Sequence, residues 1–85
     1  MKETLANEIR KYCNETRIIP ARTKGEKIVK IRAGDIRDEM NLKNKMPAIC
    51  GALQALKFET YANVKRTSIE GPGSGVNCIM TFEIL

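Results

Sequence analysis

Eighty-five residues with a formal net charge of +5 and an apolar content of 42% suffice for one modest core, since a chain this short buries only roughly 60–65% of the surface it exposes unfolded. No apolar run approaches the roughly 18 residues of a membrane span, and Met1-Lys2-Glu3-Thr4 opens no apolar signal segment. The expectation is a single domain over residues 1–85, cytoplasmic and without a membrane partner.

Cys13, Cys50 and Cys78 are odd in number and far apart, no Cys-x-x-Cys occurs, and the chain has no His. A zinc site is therefore not expected, and the three thiols read as small buried apolar side chains.

Residues 3–15 carry Leu5, Ala6, Ile9, Tyr12 and Cys13 on one stripe of a 3.6-residue period, which predicts a helix with Thr4 as its N-cap. Residues 16–26 show no period and contain Pro20 and Gly25, so a long connection is expected, pinned by Ile18 and Ile19. Residues 27–32 read as a short strand.

Residues 34–41 read as a short helix with Asp35 at its positive end, Ile36 and Met40 on one face, and Asn41 as a left-handed terminator. Residues 44–57 read as a further helix with Asn44 as N-cap and Pro47 in the first turn. Its inward stripe is Met46, Ile49, Cys50 and Leu53. Residues 58–62 are ambiguous, with Phe58 and Tyr61 expected over the core. A strand is expected over 63–70, anchored by Val64 and Ile69, then a turn over 71–75. Residues 76–84 alternate strictly, with Val76, Cys78, Met80, Phe82 and Ile84 on one side, and complete a hairpin.

The excess charge is local. Residues 10–32 hold eight basic residues against two acidic ones, whereas the remainder holds seven against eight. Taken alone, such a cluster is either a phosphate-binding surface or ordinary solvated charge.

The order helix, short strand, short helix, turn, helix, hairpin resembles the winged helix-turn-helix family, most specifically through Ile31, Ile36, Met40, Asn41, Leu42, Ile49 and Leu53. The resemblance implies a small α+β fold of three helices, a short strand and a C-terminal β-hairpin wing. The helix-turn-helix would span about 34–57 and the wing hairpin about 63–84. It further implies a regulator or recognition module that binds double-stranded DNA through helix 44–57 and a basic loop over 16–27. Carried over by position, the DNA-binding set is Arg17, Arg22, Lys24, Lys27, Lys43, Asn44, Lys45, Gln54, Lys65 and Arg66.

A second reading stays open. The outward side of helix 44–57 holds Pro47, Ala48, Gly51 and Ala55, and the wing tip carries no cation. That small apolar face equally suits a protein partner or a homodimer. Catalysis is not expected. There is no His for proton transfer near neutrality, no activated thiol, and the acidic cluster Asp35, Asp38 and Glu39 is explained by helix-dipole compensation and solvation. No cofactor or metal is implied.

Overall fold

The amino-terminal apolar stripe forms a helix that runs further than its sequence suggests. In the computed structural model, which describes residues 4–71 and 77–85, α1 spans Leu5–Cys13. It opens as expected, with Thr4 Oγ1 accepting from the Asn7 amide at 3.2 Å. The chain then continues through a π-helical turn, Asn14–Ile18, into α2, Ile19–Thr23. The expected irregular connection over 16–26, and with it the basic loop 16–27, is therefore helical as far as Thr23.

The cause is local. Pro20 has no N–H to give, and its ring crowds the carbonyl four residues earlier. The preceding turn widens, so that the Ile19 amide reaches the Asn14 carbonyl, five residues back, and the helix passes the proline without ending. Thr16 Oγ1 also donates to the Tyr12 carbonyl at 2.7 Å, a bond of the kind that bends helices. The extra residue keeps the buried face in phase. Ile9, Cys13, Ile18 and Ala21 are all buried, and the step from 13 to 18 is a π step. Ile19 is 45% exposed, so of the two isoleucines only Ile18 anchors this stretch.

Strand β1, Ile28–Arg32, leads into α3, Ala33–Met40. Asn41 ends α3 at φ 56° and ψ 48°, the expected left-handed stop. Asn44 also has positive φ, 60°, and shapes the turn rather than capping the helix, which begins two residues later at Met46. Lys45 takes the N-cap position instead, with no side-chain cap.

The expected helix 44–57 is two helices. α4 spans Met46–Gln54, with Pro47 in its first turn, and α5 spans Leu56–Ala62. Ala55 between them is extended at φ −74° and ψ 143°. That break turns Phe58 into the core, where its ring meets Phe82 edge-on at 5.1 Å and 73°. Tyr61, expected over the core beside Phe58, is 52% exposed.

Strands β2, Val64–Glu70, and β3, Ile79–Ile84, pair antiparallel as a hairpin. The sheet order is β1-β3-β2, with Val29 opposite Phe82 opposite Arg66, and Ile31 opposite Met80 opposite Ile69. A register shift between Arg66 and Ser68 leaves Thr67 as a bulge, a device that sharpens a hairpin's twist. Val64 is buried as expected, whereas Ile69 is partly exposed. Val76, and the expected 71–75 turn apart from Gly71, lie outside the described residues.

The result is a small α+β fold in which, among the described residues, four helical stretches pack on a three-stranded antiparallel sheet. Ile9, Ile36, Ile49 and Leu53 from the helices meet Ile31, Met80 and Phe82 from the strands in one core. All three cysteines are buried in it.

Candidate nucleic-acid interface

The cations divide by residue type. All six arginines make hydrogen bonds or ion pairs within the chain. Arg17 pairs with Glu39 and thereby ties the long first helix to α3. Arg22, just before the end of α2, donates to the Ala62 carbonyl at 2.9 Å and the Asn63 carbonyl at 3.1 Å, and so satisfies the open end of α5. Arg66 holds the end of α4 by donating to the Gln54 carbonyl at 2.6 Å, while its own amide donates to Glu59 Oε1 at 3.1 Å. Arg32 bonds Asp35 at 2.8 Å and Asn77 at 3.1 Å, and Arg37 bonds Asp38 at 3.0 Å. Both carboxylates of the Asp35/Asp38 cluster are thus occupied by arginines.

The lysines behave otherwise. Lys24, Lys27, Lys43, Lys45 and Lys65 are exposed and, among the described residues, make no side-chain hydrogen bond or ion pair. Lys27 and Lys65 lie at one end of the sheet, and Lys24 closes α2 three residues before Lys27. Glu83 of β3 faces Ile28 on one side and Lys65 on the other, and the Lys27 carbonyl accepts from Ile84 at 2.8 Å. Lys43, Asn44 and Lys45 form a separate group on the turn before α4, folded by the two left-handed asparagines.

Of the ten positions expected to contact DNA, five are therefore free lysines and three are arginines already engaged in the fold. Asn44 shapes a turn, and Gln54 is half-buried and has bonded partners.

The outward side of α4 is narrow. Pro47 and Gly51 are exposed, whereas Ala48 and Ala55 are half-buried. A Cβ built on Gly51 meets nothing within 4 Å. Glycine in a helix interior costs about 0.5–1 kcal/mol relative to alanine, and no contact inside the protein requires it here.

Electrostatic perturbation concentrates where Arg17 meets Glu39. The Arg17 guanidinium first, and the Tyr12 hydroxyl at 2.6 Å second, hold the Glu39 carboxyl below its ordinary value. The same bond raises the Tyr12 hydroxyl, and Glu39 raises Arg17 in turn. Burial pushes the Cys13 thiol up to about 12. Burial, then the neighbouring Cys78, pushes Cys50 up to about 11. Thiols held this far from ionisation are poor nucleophiles near neutrality. Among the described residues no three Cys, Asp or Glu side chains converge as metal ligands, and no helix is long and apolar enough to cross a membrane.

Asn7, Arg10 and Lys11 of α1 and Lys57 and Tyr61 of α5 line a cleft of about 250 Å³. Its traces in the sequence are a polar triplet at i, i+3, i+4 on the far side of the α1 stripe and a Lys–Tyr pair at i, i+4. The second trace is legible only once α5 is known to be a helix.

Comparison with protein-family models, with characterised proteins and with solved structures found no match.

Proposed function

We propose that this chain is a winged helix-turn-helix domain that binds double-stranded DNA, with the turn before α4 and the free lysines as its phosphate-contacting surface. The observation that carries the reading is the Lys43-Asn44-Lys45 turn. It is exposed, is folded by left-handed asparagines, and stands directly before α4 with both ammonium groups unpaired. Support for the reading comes from the element order: α3, the Asn41 turn and α4 come in succession, followed after α5 by the β2–β3 hairpin, an order that resembles the family's apart from α5.

On this reading Lys43 and Lys45 meet phosphates beside the groove that α4 enters, and Gly51 lets the helix backbone approach closely. Lys27 and Lys65 add phosphate contacts from the end of the sheet, and Lys24 adds one from the end of α2. The arginines serve the fold. Lysine is a point charge without the planar fork that reads guanine, so much of the affinity is electrostatic and only weakly dependent on sequence.

The test is a fluorescence-anisotropy titration of a labelled random duplex at several salt concentrations. Log affinity should fall against log salt by about 0.9 for each phosphate neutralised. Lys43→Glu with Lys45→Glu should remove most binding and leave the thermal midpoint unchanged, because neither side chain has a partner to lose. Absence of binding at low salt, or full binding by that variant, overturns the reading.

A protein partner is the second reading. It is favoured by Leu56, a large apolar side chain 77% exposed at the start of α5, next to Ala55. Sedimentation of the free chain tests its homodimer form, and a monomer at all concentrations removes that form.

A further inference from the structure

We propose that the cleft between α1 and α5 binds a nucleoside phosphate, with Arg10, Lys11 and Lys57 around the phosphate and Tyr61 against the base. The site is distinct from the turn before α4 and does not depend on that turn's role.

Three cationic side chains line the cleft, and none of its five lining residues is acidic. Arg10 is fixed in place. Its Nε donates to the Ala52 carbonyl at 3.1 Å, and its Nη1 donates to Asn7 Oδ1 at 2.9 Å. Both acceptors are neutral, so they orient the guanidinium without cancelling its charge. A guanidinium has five N–H donors, and these two bonds leave the others for a ligand. Among arginines held within the chain, Arg17, Arg32 and Arg37 each meet a carboxylate, and Arg10 does not. Lys11 and Lys57, one from each helix, are exposed and make no hydrogen bond or ion pair among the described residues.

A fixed, uncompensated guanidinium flanked by two free ammonium groups is matched by a phosphate, which accepts from several donors at once. Pre-fixing Arg10 also lowers the ordering cost that binding would otherwise carry.

Tyr61 sets the rest of the ligand. It stands at the cleft 52% exposed, and its hydroxyl has no partner among the described residues. An exposed aromatic ring beside cations is the arrangement on which nucleobases stack. The cleft, at about 250 Å³, lies just below the roughly 300–1,000 Å³ of drug-sized sites, the scale of a single nucleotide. The nucleotide comes either from the free pool or from a single strand with an unstacked base, and the two share the same chemistry.

The test follows amide resonances by two-dimensional NMR while adenosine 5′-monophosphate, adenosine, inorganic phosphate and a short single-stranded oligonucleotide are added separately. The expected result is saturable shifts centred on Asn7, Arg10, Lys11, Lys57 and Tyr61, with the monophosphate binding more tightly than adenosine or phosphate. Lys11→Gln with Lys57→Gln should weaken the monophosphate by about tenfold or more, as loss of two charge-assisted contacts implies, at an unchanged thermal midpoint. Tyr61→Ala should erase the preference for the monophosphate over phosphate. Saturation by the oligonucleotide but not the monophosphate identifies a strand as the source. Shifts scattered over all lysines without saturation, or unchanged binding by the lysine double variant, overturn the proposal. Duplex binding through the α4 turn would succeed or fail independently.

Discussion

Gly51→Ala should make this protein more stable and a poorer DNA binder. Gly51 lies inside α4 and has no positive φ, so alanine fits its backbone. The added Cβ meets nothing within 4 Å, so no packing is disturbed. What remains is the entropy that glycine loses on entering a helix, and its removal is worth about 0.5–1 kcal/mol. For a domain of this length each kcal/mol moves the midpoint by about 4–8 °C, so the expected rise is about 2–8 °C. Thermal unfolding by circular dichroism, with urea unfolding to show an unchanged m-value, reads it directly. A midpoint that stays or falls refutes the stability argument, because some contact must then occupy the space beside Gly51. The duplex titration is the second half. If α4 enters the groove as proposed, the methyl group stands on its open side, so affinity should drop although the fold is firmer. A more stable variant with unchanged affinity would show that α4 does not approach DNA at this point.

Gly71 should respond in the opposite sense. At φ +80° its added Cβ would lie 2.6 Å from the Asn77 carbonyl oxygen, so Gly71→Ala should lower the midpoint through left-handed strain of about 1–2 kcal/mol plus the backbone clash. Asn41 discriminates more finely. At φ 56°, Asn41→Ala should cost about 1 kcal/mol in urea unfolding, while Asn41→Gly should change little. Glu39 governs the acid limb. Its carboxyl is held below its ordinary value by Arg17 and Tyr12, so the stability it contributes is complete above the usual carboxylate range and is lost as pH falls through the depressed value. Midpoints measured from pH 6 down to 2 should fall for the native chain and fall less steeply for Glu39→Gln. Equal slopes would refute the assignment.

The sequence carried the parts of the fold that depend on period and on local backbone chemistry. Thr4, Asn41 and the inward stripe of Ile49, Cys50 and Leu53 sit where spacing places them. It failed where a long-range contact outvoted a local signal. Pro20 normally closes a helix, yet the five-residue step between Cys13 and Ile18 allowed a wider turn to carry the chain past it. Nothing local marks Ala55 as a break, since alanine is the best helix former. The break follows from the burial of Phe58 against Phe82. Asn44 offered two uses of one side chain, N-cap or left-handed turn, and the short link between α3 and α4 selected the turn. For the candidate interface, charge type was legible but engagement was not. A run of cations does not reveal that Arg17, Arg22 and Arg66 are fastened to Glu39, Ala62 and Gln54.

That division between fastened arginines and unattached lysines makes the surface charge chemically and evolutionarily separable from the scaffold. An amine-selective acylating reagent would strip positive charge from every accessible lysine and leave the guanidinium bonds at the ends of α4 and α5 intact. Drift in a gene has the same latitude. Lysine codons can change one at a time, moving the protein from an attractive to a repulsive partner for polyanions, while the molecule that carries them keeps its shape.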